Sequence, residues 1–159
     1  MIHLATGIAV SEGRLLMVAS RYPNHADPLW NLPGGRQLPG ELLAETVVRE
    51  VLEETGLRGE ARELAYVSES YDGDEHFLNV TFTLALNAPV PLFDSSRANT
   101  AANDHVVAVD WVPLAEVAER ITVAVVREPL LAYLAGSLGR RYAGFPDAGV
   151  TIEWPADSK

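Results

Sequence analysis

A mixed α/β domain is what this sequence predicts: a sheet containing parallel and antiparallel strands, with helices packed on its faces. Two observations carry the expectation. Strand-like runs outnumber helical ones on both sides of one amphipathic stretch, and at least two pairs of runs are joined by hairpin-length connections, which a purely parallel, doubly wound sheet lacks. Size bounds the rest: 159 residues, 48% of them hydrophobic, bury roughly two-thirds of the unfolded surface, so a single domain over residues 1–159 is expected.

Taken in order, "IHLATGIAV" and "RLLMVAS" read as strands joined tightly through Ser11, Glu12 and Gly13. "RYPNHADP" is a loop, and Trp30 to Leu32 a short extended stretch stopped by Pro33, Gly34 and Gly35, after which "RQLPG" continues the loop. Residues 41–57, "ELLAETVVREVLEETGL", form an amphipathic helix. "ARELAYVSESY" and "HFLNVTFTLAL" suggest a hairpin across the turn "DGDE". Asn87 to Asn103 is rich in Pro, Ser and Asn without periodicity and reads as a long surface loop. "HVVAVDWV" is a further strand, Pro113 starts a helix "PLAEVAERI", and "REPLLAYLAGSLGRR" forms a last helix; the tail from Tyr142 shows no signal. No internal repeat or low-complexity segment interrupts this order.

Composition removes several classes of function. No apolar run approaches the roughly 20 residues of a membrane span, and "MIHLATGIAVSEGR" lacks a basic leader, so neither a membrane partner nor a secretion signal is expected and the cytoplasm fits best. Without cysteine there is no disulfide framework, thiolate metal site or cysteine nucleophile. A formal charge of −10, a pI near 4.7 and a single lysine at the last position argue against a duplex nucleic acid partner. A small phosphorylated ligand is compatible if a metal ion accompanies it.

Within the helix, Ala44, Val47, Val48, Val51 and Leu52 gather on one side, and Glu50, Glu53 and Glu54 are expected on the opposite one. Three carboxylates share one patch near the negative end of the helix dipole. Like charges at these spacings cost about 0.2–0.5 kcal/mol per pair, and acidic groups near a helix C-terminus about 0.3–1 kcal/mol each. An ordinary solvated face is the competing reading, since charge runs are usually surface. A hard divalent cation reverses the sign of the arrangement, because Mg²⁺ prefers oxygen ligands and keeps waters that a phosphate replaces.

Spacing decides between these readings. From Gly35 the order is Gly, five residues, Glu41, seven residues, Arg49, Glu50, Val51, Leu52, Glu53, Glu54, Thr55, Gly56, Leu57. Gly35 to Leu57 thus resembles the Nudix box in full, with Val51 and Leu57 as its bulky aliphatic positions; its fixed residues recur by chance on the order of 10⁻⁸ per window. "WNLPGG" before the box and "DWVPLAEV" at Asp110 to Val117 also resemble the family, whereas Leu38 stands where many members carry an acidic residue.

The resemblance implies an α/β/α sandwich that hydrolyses a nucleoside diphosphate linked to another moiety with Mg²⁺ or Mn²⁺. It implies Glu53 and Glu54 as metal ligands, Glu50 as a ligand or the general base, and a carbonyl of Gly34 or Gly35 as a further ligand. Arg49 is expected to orient a neighbouring carboxylate, with a surface pair to Glu45 or Glu53 as its alternative. Glu41 is left between a loop contact, a second metal and a favourable charge at the helix entry; Gly56 closes the helix. The catalytic set is Glu50, Glu53 and Arg49.

Outside the box the signal thins. Arg21 and Arg36 flank the loop as candidate phosphate contacts; Tyr71, Phe77 and Trp30 are candidate base-stacking aromatics; Asp104 and His105 stand where relatives often place an acidic or base-reading group. The four histidines show no ligand spacing. A small nucleotide is the expected substrate: a nucleoside triphosphate cleaved to monophosphate and pyrophosphate, including clearance of damaged nucleotides, or a nucleoside diphosphate sugar. ADP-ribose or dinucleoside polyphosphates are the alternative, for which Tyr71 lies near a family position. The isomerase branch of the fold needs the missing cysteine, RNA 5′-end processing wants a basic groove, and a non-catalytic sensor is expected to lose box glutamates. Relatives commonly form homodimers, which nothing in the sequence requires or excludes.

Overall fold

The computed structural model describes residues 1–87 and 105–155, so the loop expected from Asn87 to Asn103, and Asp104 beyond it, fall almost wholly outside the described residues. The architecture is mixed α/β. One five-stranded sheet has the order β5-β1-β7-β6-β9, made of β1 (Ile2–Ile8), β5 (Gly34–Arg36), β6 (Gly59–Asp72), β7 (Glu75–Leu86) and β9 (Tyr142–Phe145). In it β1 runs parallel to β7 and β6 parallel to β9, while β1–β5 and β6–β7 are antiparallel. A second, antiparallel sheet centres on β3 (Arg14–Ser20), which pairs with β2 (Val10–Ser11), β4 (Leu29–Asn31) and β8 (Val106–Pro113).

Strand β3 is buried from Leu15 to Ser20 because both of its faces are covered, the pattern of a continuous apolar run. Leu15 and Met17 join Ile8, Tyr66, Val112, Ile121 and Leu130 in the core between the sheets, while Leu16 and Val18 pack with Ala9, Val109 and Trp111 on the other side. Among the described residues, three α-helices complete the fold. Helix α1 (Leu43–Thr55) sets Val47 and Val51 against Ala5 of β1; beyond a short 3₁₀ turn at Leu114–Glu116 and α2 (Val117–Arg120), α3 (Ala124–Leu134) contributes Leu130 to the inter-sheet core. No helix among the described residues is long and apolar enough to cross a membrane.

Four expectations are corrected. The first run is two strands, not one: it leaves the five-stranded sheet after Ile8, and only Val10–Ser11 makes the hairpin with β3. Gly34 and Gly35 are not loop residues, because the flat approach of a glycine strand lets β5 pair with Thr6 and Ala5 of β1. The last helix begins and ends earlier than its composition suggested, Gly136 stopping it at φ 69°. The tail is structured, Tyr142–Phe145 pairing with Val67 to Ser70 of β6.

Candidate functional site

Helix α1 ends at Gly56, whose φ of 74° and N–H bond to the Leu52 carbonyl, at 2.9 Å, form a left-handed cap. It begins where Glu45 accepts the Leu42 N–H at 2.8 Å. Between these ends Glu50 and Glu54 do not stand opposite the apolar stripe, whereas the Glu53 side chain is 34% exposed. Glu54 follows Val47 by seven residues, nearly two full turns, so it faces the sheet beside Val47 and Val51 and is 3% exposed. Glu50, three residues after Val47, is also largely covered, its side chain 12% exposed.

The β5 backbone meets this face of α1. The Gly34 N–H donates to Glu54 Oε1 at 2.7 Å. A Cβ on Gly35 would stand 2.6 Å from the Glu50 carboxyl carbon, and one on Gly34, whose φ is 154°, only 2.2 Å from the Ala5 carbonyl oxygen. Glycine leaves room at Gly34 for the neighbouring backbone and at Gly35 for the end of the Glu50 side chain.

Arg49 holds the cluster together. Its guanidinium donates to Glu41 Oε1 at 2.5 Å and Oε2 at 3.1 Å, to Glu50 Oε1 at 2.9 Å, to Glu53 Oε2 at 3.2 Å and to the Arg36 carbonyl at 3.0 Å. These five bonds match the five N–H donors of the side chain. Glu41 also accepts from the Leu38 N–H and the Thr46 hydroxyl, so it ties the loop to the helix entry and braces Arg49.

Electrostatics separate the carboxylates. Arg49, first through its hydrogen bond, lowers Glu41 to about 2. Burial lifts Glu50 above the ordinary range against the pull of Arg49. Burial lifts Glu54 well above it, Glu50's charge adding to the effect and the Gly34 N–H opposing it. Glu54's charge in turn adds to the burial that raises Tyr22. A desolvated carboxylate beside a second one is costly unless a cation answers it.

Does this donor set suit a divalent cation? Carboxylate oxygens from Glu50, Glu53 and Glu54 and the Gly35 carbonyl are the hard oxygen ligands that Mg²⁺ or Mn²⁺ take. Among the described residues no three acidic or histidine side chains already converge on one point; Glu50 and Glu53 are turned onto Arg49, and Glu54 onto Gly34. The chemistry fits, and reaching a common ion requires Glu50 and Glu53 to rotate away from Arg49.

A cavity of about 150 Å³ lies beside the cluster, reaching Thr6, which pairs with Gly34, and Tyr22. Trp30 and Phe77 line it. Tyr71 does not: it is 39% exposed and stacks on His76 at 4.3 Å. Arg21 is exposed, its N–H bonded to the His105 carbonyl, and is not among the cavity's lining residues. Arg36 lies against the cavity wall, its guanidinium 4.4 Å from the Trp154 ring centre. His76 bonds Glu69 at 2.5 Å, and His25 the Thr151 carbonyl at 3.0 Å, so these two histidines fasten the chain.

Sequence reasoning missed Asn79, Ser68 and the wall from Ala148 to Trp154, all of which line the cavity. A signal existed for the wall. Val150, Ile152 and Trp154 alternate with exposed Thr151 and Glu153, the period of an extended segment with one covered face.

Comparison with known proteins agrees with the fold. The model of the NUDIX domain family matches residues 1–134. "Nucleoside diphosphate-linked moiety X motif 6" of Mus musculus is 42% identical over 62 residues, 39% of this chain and 19% of that protein. An "ADP-ribose pyrophosphatase" of Methanocaldococcus jannaschii is 36% identical over 80 residues, 49% of this chain and 47% of that protein. The chain thus spans less than half the length of these curated relatives. A NUDIX hydrolase structure from Nitrosomonas europaea superposes with a TM-score of 0.69 at 20% identity, covering 96% of this chain and 97% of the other, a likeness of fold.

Proposed function

Because the chain belongs to the NUDIX domain family, we propose that it hydrolyses a diphosphate linkage in a small nucleotide with Mg²⁺ or Mn²⁺ held by Glu50, Glu53, Glu54 and the Gly35 carbonyl. The observation that carries this reading is the Glu54 carboxylate, buried at the glycine strand beside Glu50 and, among the described residues, in no ion pair with a cationic side chain.

Bound there, the ion supplies charge neutralisation for the diphosphate and a more acidic water. The side chains do the rest. Glu50, released from Arg49, accepts the proton as water oxygen attacks phosphorus and the bridging oxygen leaves with the bond's electrons. Arg49, braced by Glu41, keeps the remaining carboxylates in place and holds the β5 backbone through the Arg36 carbonyl. Gly34 and Gly35 let that backbone approach where a side chain would obstruct.

We favour a nucleoside triphosphate cleaved to monophosphate and pyrophosphate, clearance of damaged nucleotides being one use of such an activity. The match to a protein named ADP-ribose pyrophosphatase supports ADP-ribose as the second reading. Product analysis separates them: pyrophosphate and a monophosphate for the first, AMP and ribose 5-phosphate for the second. Incubating each with the protein and Mg²⁺ should give one product pair, abolished by chelator. Failure to cleave any nucleotide in a broad panel would sink the reading.

A further inference from the structure

Strand β5 brings the backbone of the candidate cation site into place with only three residues, Gly34, Gly35 and Arg36, at the edge of the five-stranded sheet. Its main chain is committed on both sides: it pairs with Leu4 to Thr6 of β1, the Gly34 N–H donates to Glu54, and the Arg36 carbonyl accepts from Arg49. Two glycines give such a strand nothing to pack, and they lose more conformational freedom on ordering than other residues. Arg36 therefore carries the only side chain that can anchor it.

Side chains alternate across a strand. The Gly35 position faces the Glu50 carboxylate, so Arg36 projects to the other face, away from the glutamates, and among the described residues it forms no ion pair. Its guanidinium instead lies 4.4 Å from the centre of the Trp154 ring, inside the roughly 6 Å over which a cation is attracted to an aromatic face. Trp154 is itself fixed. Its ring stands edge-on to Tyr22 at 5.9 Å, and the residues before it are tied down: Asn24 bonds both Thr151 and Glu153, Asp72 both Thr151 and Ile152, and the His25 ring the Thr151 carbonyl. This anchor stands outside residues 1–134, the part of the chain matched by the family.

We propose that Trp154 is a positioning residue for the cation site, acting through Arg36. By holding the guanidinium it clamps the edge strand, which keeps the Gly35 carbonyl beside α1 and the Arg36 carbonyl within reach of Arg49. Without that hold the glycine strand frays from β1, and Arg49 loses the bond that ties the carboxylate cluster to it. The inference rests on the cation-dependent reading above and adds a residue of the C-terminal segment to the parts that seat the ion.

The test titrates Mn²⁺ alone, without nucleotide, into the full chain and reads free Mn²⁺ by electron paramagnetic resonance, comparing the parent with Trp154→Phe, Trp154→Leu, Arg36→Met and the Trp154→Leu, Arg36→Met double variant. Trp154→Phe keeps an aromatic face and should bind within about threefold of the parent, whereas Trp154→Leu and Arg36→Met should each weaken binding about tenfold. Arg36→Met leaves the C-terminal segment untouched, so it stays informative where Trp154→Leu does not fold. The double variant should lie within about threefold of either single one, since both remove the same contact. Hydrogen exchange in metal-free protein gives a second readout. The Gly34 and Gln37 amides, bonded to Glu54 and to the His3 carbonyl, should exchange about tenfold faster in Trp154→Leu while those of β6 and β7 keep the parent's rates. Mn²⁺ binding by Trp154→Leu or Arg36→Met within about threefold of a binding parent, or a further loss of about tenfold when Trp154→Leu is added to Arg36→Met, overturns the proposal. No Mn²⁺ binding to the parent overturns the hydrolase reading; the exchange rates then decide the clamp alone, faster Gly34 and Gln37 exchange upholding it and unchanged rates overturning it.

Discussion

At 3% exposure, with one oxygen held by the Gly34 N–H, the Glu54 carboxylate is a charge that the metal-free fold bears at a cost. Glu54→Gln keeps an oxygen acceptor for Gly34 and removes the charge. We therefore expect the variant to lose turnover by a factor on the order of 10² or more, while its melting temperature in chelator rises above that of the parent. Near-normal activity under saturating Mg²⁺ contradicts the assignment. The sign of the pH dependence follows from burial. Glu54 and Glu50 both sit above the ordinary carboxylate value of 4.5, so the stability linked to their protonation is present below that value and is lost as pH rises through their folded-state values. Glu41, held at about 2 by Arg49, behaves oppositely: its contribution is present above 4.5 and disappears as pH falls through about 2. Metal-free protein in urea should lose stability from mildly acid to neutral pH, and Glu54→Gln should flatten that slope. At this scale the box spacing made Glu50, Glu53, Glu54 and Arg49 legible. What it hid was their direction: a stripe drawn through Ala44 and Leu52 put the three carboxylates on the opposite side, whereas tertiary contact with β5 rotates the covered face towards Val47 and Glu54.

Strand β5 and helix α1 work as one element pair, and their two glycines fail in different ways. At Gly35 the obstruction is the end of a flexible Glu50 side chain, so Gly35→Ala should fold with a melting temperature near the parent's and lose at least tenfold in turnover as Glu50 is displaced. At Gly34 the obstruction is the Ala5 carbonyl and the Thr6 backbone, which cannot give way. Gly34→Ala should cost about 3 kcal/mol in chemical denaturation. Gly56→Ala serves as the contrast: it strains a left-handed cap and should cost about 1 kcal/mol while leaving activity intact. Comparable loss of activity in all three variants would mean that stability, not carboxylate geometry, governs turnover. The glycines were visible in sequence as breakers, and breakers read as loop; only the pairing with Thr6 and Ala5 reveals a strand. The "DGDE" hairpin was legible because a turn and two alternating runs are local signals, and Asp72 does pair with Glu75.

The whole molecule places two unrelated stretches of chain on one site: a carboxylate-bearing helix from its first half, and a C-terminal wall that reaches Arg36 and Asp72. The mixed α/β class was legible because alternation and helical periodicity are local, whereas the division into two sheets was not, since the chain changes sheet at Ala9 without any break in hydrophobicity. A ligand that binds only the folded state stabilises it by mass action, about 2.7 kcal/mol at a hundred times its dissociation constant. Mg²⁺ at that excess should raise the parent's melting temperature by roughly 5–10 °C and leave Glu54→Gln unmoved. The central claim, that α1 and β5 together seat a divalent cation, is tested most directly by the anomalous signal of Mn²⁺ soaked into crystals of the parent protein. The predicted result is a peak bound by Glu54, by Glu50 or Glu53 turned away from Arg49, and by the Gly35 carbonyl. A cation found only elsewhere, with Glu50 still on Arg49 and Glu54 still on Gly34, would contradict it.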